Sequence, residues 1–398
     1  MDYPFFFTWT RQGTADHFNL IGGKGPVLLT DKKRKIFDLS SLSFQAAFGV
    51  NDPYISKKIK EQLGKITVTS PKAVYPLKVK ATQRLLKFIE QTKKPTGKIF
   101  YTVSGAESVE NAIKIARQVK NRKGILARKI SYHGATLGAL SITGDWRNEP
   151  HFTVDEWTVR IPEPKDDPTC KKTREIILKY GPENIAAFCL ETITVGNGVI
   201  IPDQIWWDNI QKLCKEFDLF LILDEVACGF GRTGKPFGFH NWDLRPDLVT
   251  MAKVISGGMI PFGAVWVSSE ISKKYDDEVF SFGLTNYAHP LGIAAQDAVL
   301  DHFNDKVFLN NNKKLIKVFN EKIKTIGKLN SVTGTRCIGL LAAVDLKVKV
   351  SWKMFFENGI YLFAKPKMIV ICPAYCYTPK QLAEAMDKLI LILKNLKE

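Results

Sequence analysis

No stretch of the 398-residue sequence stays apolar for the roughly 18 or more residues that a membrane-crossing helix needs, so no span is expected. Paired cysteines are missing as well. The seven cysteines (170, 189, 214, 228, 337, 372 and 376) are odd in number, form no CxxC, and several lie in apolar runs such as Phe188–Cys189–Leu190. That pattern predicts buried free thiols in a reducing, cytoplasmic setting and argues against a disulfide framework or a metal site. There is no arginine-rich arm and no basic stripe interleaved with aromatics. The net charge of +17, from 57 basic and 40 acidic residues, comes from scattered lysines such as Lys32–Lys33, Lys57–Lys58, Lys171–Lys172 and Lys313–Lys314. It reads as a solvated surface that attracts small anions, with no nucleic-acid footprint. Repeats, low-complexity tracts and long linkers are also absent. The start, Met1 to Trp9, is apolar but acidic at Asp2 and has no basic leader, so it reads as mature protein.

What is present suits a globular chain of two or three domains, with 45% hydrophobic and 24% charged residues. From about residue 97, short β-rich runs alternate with helical stretches. Strands are expected at 98–103, 124–128, 185–191, 219–226, 248–252 and 264–267, and helices after residue 105 and at 206–216. Apolar strands alternating with helices imply an α/β fold: a mostly parallel sheet covered on both faces. The tail differs, with a helix at 311–326, strands at 339–346 and 368–372, and a last helix at 379–396, the texture of a smaller α+β domain. The N-terminal segment has the same texture. The expected division is therefore a large domain over 45–290 and a small one made of 1–44 and 291–398.

Four segments carry candidate chemistry. In Val103–Ser104–Gly105–Ala106–Glu107 a strand ends at a serine N-cap with glutamate three residues on. Such a capping box often only caps a helix, but the small Gly105 and Ala106 also let backbone N–H groups meet a phosphate. The strand 219–226 ends on Asp224 and Glu225, at the sheet edge where α/β ligands bind. A buried aspartate there needs a cation, which a structural ion pair or a protonated ring nitrogen could equally supply. Lys253 ends the apolar run 248–252 and precedes Ser256–Gly257–Gly258. Desolvation at such a place lowers an amine's pKa and makes it nucleophilic. Finally, Ser131–Tyr132–His133–Gly134 follows a strand and offers a flat aromatic face, although a packed tyrosine and a hydrogen-bonded structural histidine explain it too.

Together, and in this order, these elements resemble the class III (ω-amino-acid) aminotransferases, a family of pyridoxal-5′-phosphate (PLP) enzymes of fold type I. The most specific blocks are Leu223-Asp-Glu-Val-Ala-Cys-Gly-Phe-Gly-Arg-Thr-Gly234, Arg245-Pro-Asp247, Ala252-Lys253, Gly257-Gly258 and Pro261-Phe-Gly-Ala264, with Asp224 and Lys253 29 positions apart (253 − 224). The resemblance implies that Lys253 carries the cofactor as a Schiff base and moves the substrate proton. It implies that Asp224 pairs with the pyridine nitrogen, so that the ring accepts electrons. Tyr132 would stack on the ring with His133 beside it, Val226 would pack on the other face, and Gly105 and Ala106 would hold the phosphate. Glu191 matches the glutamate of a Glu-Pro block in which Thr192 replaces the proline. Thr285 resembles a threonine that reaches the phosphate of a neighbouring subunit, implying a homodimer with shared sites.

Two positions depart from one branch of that family. Gly196 and Val370 stand where the 4-aminobutyrate and ornithine branch has a glutamate switch and its arginine partner. The resemblance is therefore to the taurine, β-alanine and amine:pyruvate-like branch, with an ω-amino acid or amine as donor and pyruvate as acceptor. A racemase or aminomutase on the same scaffold is the alternative. Trp9 and Phe7 resemble aromatics that line the substrate pocket, and Lys365 or Lys367 is a candidate for a missing arginine.

Overall fold

The computed structural model describes residues 3–396. Seven strands form the central sheet in the order Lys98–Thr102, Gly263–Val267, Leu248–Met251, Phe220–Asp224, Ile185–Glu191, Gly124–Arg128 and Thr158–Ile161. Gly263–Val267 runs antiparallel to both of its neighbours. The remaining pairings are parallel. Every residue of Phe220–Asp224 and of Ile185–Glu191 is buried, as expected for strands with helices over both faces. The helices Gly105–Lys120 and Gln204–Phe217 present apolar stripes to the sheet, the second through the fully buried pair Trp206 and Trp207. This is the expected fold type I layout.

The antiparallel strand turns Lys98–Thr102 back into the common direction. The carboxyl ends of six strands, those ending at Thr102, Arg128, Ile161, Glu191, Asp224 and Met251, therefore open on one edge. Ligands of doubly wound sheets bind at that edge. The Asp224 strand stops two residues earlier than its apolar run suggests. Glu225 N donates to Thr250 O, and Val226 N turns back to Asp224 Oδ1 at 3.0 Å, which ends the ladder at the aspartate.

Two smaller sheets flank this body. Leu20–Lys24, Val27–Thr30 and Lys35–Asp38 form an antiparallel set that Ile360–Tyr361 joins in parallel, so the two ends of the chain share a sheet. Val332–Ile338, Leu341–Leu346, Met368–Ile371 and Phe363–Lys365 form the other, beside the packed helices Lys306–Ile326 and Pro379–Lys394. The sequence reading names none of the strands of the first set, and in the second it misses Val332–Ile338 and the short Phe363–Lys365.

Where the N-terminal sheet meets the main body, Ser41, Leu42, Ser43 and Phe44 all have positive φ (48°, 43°, 65° and 71°). Left-handed backbone costs a non-glycine residue about 1–2 kcal/mol, so this turn must be held from outside. The Asp38 carboxylate accepts from Ser40 N and Leu42 N, and Ser41 Oγ donates to Cys372 O at 2.7 Å. Among the described residues, no helix is long and apolar enough to cross a membrane.

Candidate active site

Asp224, at the end of its strand, is 4% exposed. One carboxylate oxygen lies 2.8 Å from His133 Nδ1; the other accepts from Val226 N at 3.0 Å and from Thr250 Oγ1 at 3.2 Å. Parallel register sets the last contact, because Asp224 and Thr250 are paired across adjacent strands. Neighbouring Glu225 points the opposite way, as alternate strand residues do. It accepts from Thr192 Oγ1, Gly238 N and Phe239 N, and burial pushes its carboxyl up to about 7. Of the two adjacent carboxylates, Asp224 alone faces the site. Thr192, the residue in place of a proline, is explained by its bond to Glu225.

Three residues beyond Thr250, Lys253 sits at φ 51° at the start of the single turn Lys253–Ser256. Its amine forms no hydrogen bond or ion pair among the described residues. Burial holds its pKa below the ordinary lysine value, against the opposing pull of Asp224 and Glu191. A lowered pKa enlarges the fraction of neutral, nucleophilic amine. The Lys253 amine and the Asp224 carboxylate are thus close enough to act on each other.

The helix Gly105–Lys120 begins at this edge. Ser104 Oγ accepts from Glu107 N at 3.2 Å, and the Glu107 carboxylate reaches back to Val103 N at 2.7 Å, one residue before the usual capping-box target. The N–H groups of Gly105 and Ala106 have no helical acceptor and lie at the positive end of the helix dipole. A Cβ on Gly105 would stand 2.9 Å from Val226 Cγ1 and 3.4 Å from Ala252 Cβ. Glycine is therefore required, and the helix start, Val226 and the Lys253 strand converge on one space. Tyr132 is fixed from behind by its own N–H, which donates to Glu191 Oε1 at 3.0 Å. His133 is fully buried, yet its Nε2 has no acceptor.

These groups suit PLP. The open helix start matches a phosphate, the isolated amine matches an aldehyde, and the Asp224 carboxylate has no lysine or arginine partner among the described residues. The orphaned His133 Nε2 and the uncapped N–H groups are polar atoms that a bound group or water would satisfy.

The structure also assembles an outer rim that the sequence does not reveal. The Arg147 guanidinium lies 4.7 Å from the Tyr132 ring centre and 5.3 Å from those of Trp9 and Trp146. Its Nη1 pairs with Asp145 Oδ2 at 2.5 Å, while its Nε is buried without an acceptor. Asn197 Nδ2 donates to the same Asp145 oxygen at 3.3 Å, and Lys365 Nζ donates to Asn197 Oδ1. Burial lowers the Lys365 pKa, and the nearby Arg147 charge lowers it further. Trp9 and Lys365 are thus brought to this rim. Phe7 instead packs against Tyr3, Phe5 and His17, and Thr285 is exposed on the loop between the helices Ser269–Lys274 and Pro290–His302. A Cβ on Gly196 would meet nothing within 4 Å, and Val370 is fully buried in its strand, so neither position offers a charged group. Asp145-Trp146-Arg147 carries no motif; only the fold brings it to Tyr132.

Known proteins are similar to this chain in sequence and fold. The family described as Aminotransferase class-III matches residues 11–393. The chain is 28% identical to gamma aminobutyrate transaminase 1, mitochondrial, of Solanum lycopersicum, over 96% of this chain and 82% of that protein. Among solved structures it superposes on a taurine:2-oxoglutarate aminotransferase from Bifidobacterium kashiwanohense, in complex with PLP and glutamate. The TM-score there is 0.91 at 29% identity, covering 98% of this chain and 94% of that one. An S-selective transaminase from Arthrobacter sp. with alanine bound gives 0.89 at 25% identity, covering 98% and 95%. A family match across nearly the full length, over a sheet edge that gathers a desolvated lysine, a buried aspartate and an open helix start, places the chain in the class-III aminotransferase family.

Proposed function

We propose that Lys253, Asp224, Tyr132, His133, Val226, Gly105 and Ala106 form the cofactor site of this PLP-dependent aminotransferase, with Glu191 bracing Tyr132. The cofactor, when bound, supplies an aldehyde that captures amines and a ring that takes up electrons from the substrate carbon. Lys253 supplies the amine that holds this aldehyde and, once displaced by substrate, a base at the reacting carbon. Burial lowers the pKa of that amine and so favours its neutral form. Asp224 offers a fixed negative charge, shielded from water and oriented by His133, Thr250 and Val226, that favours a proton on the ring nitrogen. Gly105 N and Ala106 N offer donors to the phosphate. The convergence of Lys253 and Asp224 carries this reading.

The donor is an ω-amino acid, and we assign its distal acid group to Arg147. That guanidinium stands beside Tyr132 with an unpaired Nε, and a planar fork suits a carboxylate or sulfonate. Lys365 adds a second positive charge at the rim. The relatives named for γ-aminobutyrate and taurine act on molecules with an amine at one end and an acid at the other, which supports this choice. The acceptor is proposed to be pyruvate, because the positions of the glutamate–arginine switch hold Gly196 and Val370.

The active assembly is proposed to be a homodimer in which Thr285 serves the neighbouring site. Its loop is pinned by aromatic contacts of Phe280 and Phe282 with Phe100 and Tyr275, and Thr285 itself faces outward. Val279 near this loop is exposed, as are Val68, Val74 and Val79 of the segment that Tyr75 Oη ties to Ala288 O, and association would cover these apolar side chains. The proposed domain division, 45–290 against 1–44 with 291–398, is supported by the sheet shared between the chain ends. A panel of donors and oxo acids tests the activity. Transfer from ω-amino acids to pyruvate is expected, and failure of every ω-amino acid donor would overturn the substrate reading.

A further inference from the structure

The loop that presents Tyr132 and His133 leaves the strand Gly124–Arg128 and returns at Gly144, where Gly144 N donates to both Ser131 O and Ser131 Oγ at 3.0 Å. Its base is closed by one side chain of the edge strand Thr158–Ile161. Arg160 Nη1 donates to Arg128 O at 3.2 Å and Ile142 O at 2.6 Å; Nη2 donates to Ser141 O at 2.7 Å and Thr143 O at 2.8 Å. The guanidinium thus spans both rims of the loop. Among the described residues it forms no ion pair, and four carbonyl dipoles surround a charge that burial makes less stable than usual. From Thr143 the contacts run inward. Its hydroxyl, fully buried, accepts from His133 N at 3.0 Å and donates to Ala139 O at 2.9 Å. His133 Nδ1 then meets Asp224 at 2.8 Å.

We propose that Arg160 and Thr143 are positioning residues of the cofactor site, which hold the His133 imidazole against Asp224 and so set how firmly that carboxylate grips the ring nitrogen. The proposal rests on the roles assigned to Asp224 and His133 above. A lysine has one nitrogen and no planar fork, so it cannot bridge both rims as arginine does. A valine at 143 keeps the shape and removes the hydroxyl, which is both the acceptor of His133 N and the donor to Ala139 O.

The test uses apoenzyme and PLP. Equilibrium dialysis of Arg160→Lys, Thr143→Val and Thr143→Ser is expected to show affinity for PLP lowered about tenfold in the first two, the scale of one lost buried hydrogen bond. Thr143→Ser, which retains the hydroxyl, is expected to restore it. In the first two variants the pH at which the bound cofactor's absorbance changes should shift, and kcat should fall with little change in KM. If both variants only melt earlier, with PLP affinity and the absorbance pH profile unchanged, the residues are structural and the proposal fails. Should Arg160→Lys not fold, Thr143→Val decides alone. Asp224→Asn, measured alongside, separates this outcome from failure of the underlying assignment, because an unchanged absorbance profile there would discredit Asp224 itself.

Discussion

Replacing Asp224 by asparagine keeps volume and one oxygen but removes the charge. That oxygen can still accept from Val226 N and Thr250 Oγ1, which lie 3.0 and 3.2 Å from the present carboxylate, so the strand end is expected to survive. The amide nitrogen would face His133 Nδ1, now 2.8 Å from a carboxylate oxygen, and the imidazole would have to change tautomer to receive it. A pair of unit charges at contact is worth about 4 kcal/mol where the effective dielectric is about 20. With 1.36 kcal/mol per tenfold in rate, loss of that interaction in the transition state lowers kcat by about three orders of magnitude. The assay is a single turnover of variant already loaded with PLP, beside its melting temperature and cofactor content. A slow, folded, PLP-containing variant is expected. A variant within tenfold of the wild-type rate would refute the electrostatic role assigned to Asp224.

Other perturbations address separate parts of the account. Arg147→Met should lower kcat/KM for ω-amino acid donors by about 10- to 100-fold, the scale of a lost hydrogen bond from a charged group, and leave neutral monoamines nearly unaffected; equal losses for both donor types would contradict the assignment. Gly105→Ala places a Cβ 2.9 Å from Val226 Cγ1 and should weaken PLP binding, and Val226→Ala in the same chain should restore much of it; titration of apoprotein with PLP decides. Asp38, Asp247 and Glu225 are pushed by burial to about 6, 6 and 7, above their unfolded values. The folded chain therefore holds protons that the unfolded chain has released, and these groups contribute stability that is lost as pH rises from about 4 to about 7. Asp247→Asn, which keeps an acceptor for Leu221 N, should flatten that part of the dependence in thermal melts of the apoprotein; an unchanged slope would be the contrary result.

How much of this was legible in the sequence depends on distance along the chain. The strands ending at Asp224 and Met251 and the helix after Ser104 announce themselves through apolar runs and a cap, signals confined to a few neighbouring residues. The Lys253 turn is legible for the same reason. Hidden elements depend on pairings that local pattern does not encode. The reversed direction of Gly263–Val267 leaves no trace in its apolar composition. The left-handed turn at Ser41–Phe44 contains no glycine to mark it and is held by Asp38 and Cys372, the latter more than 300 residues away. In sequence His133 reads first as a hydrogen-bonded structural histidine, until its Nδ1 is seen beside Asp224. Arg147, an ordinary loop arginine in sequence, gains meaning only from Tyr132, Trp9 and Trp146 around it.

The most direct test traps the cofactor where it is held. Holoenzyme treated with borohydride, digested and mapped by mass spectrometry should carry a pyridoxyl group on Lys253, and Lys253→Ala should carry none while remaining folded. A pyridoxyl group on any other lysine, or none on the wild-type chain, would contradict the assignment of Lys253 on which the account is built.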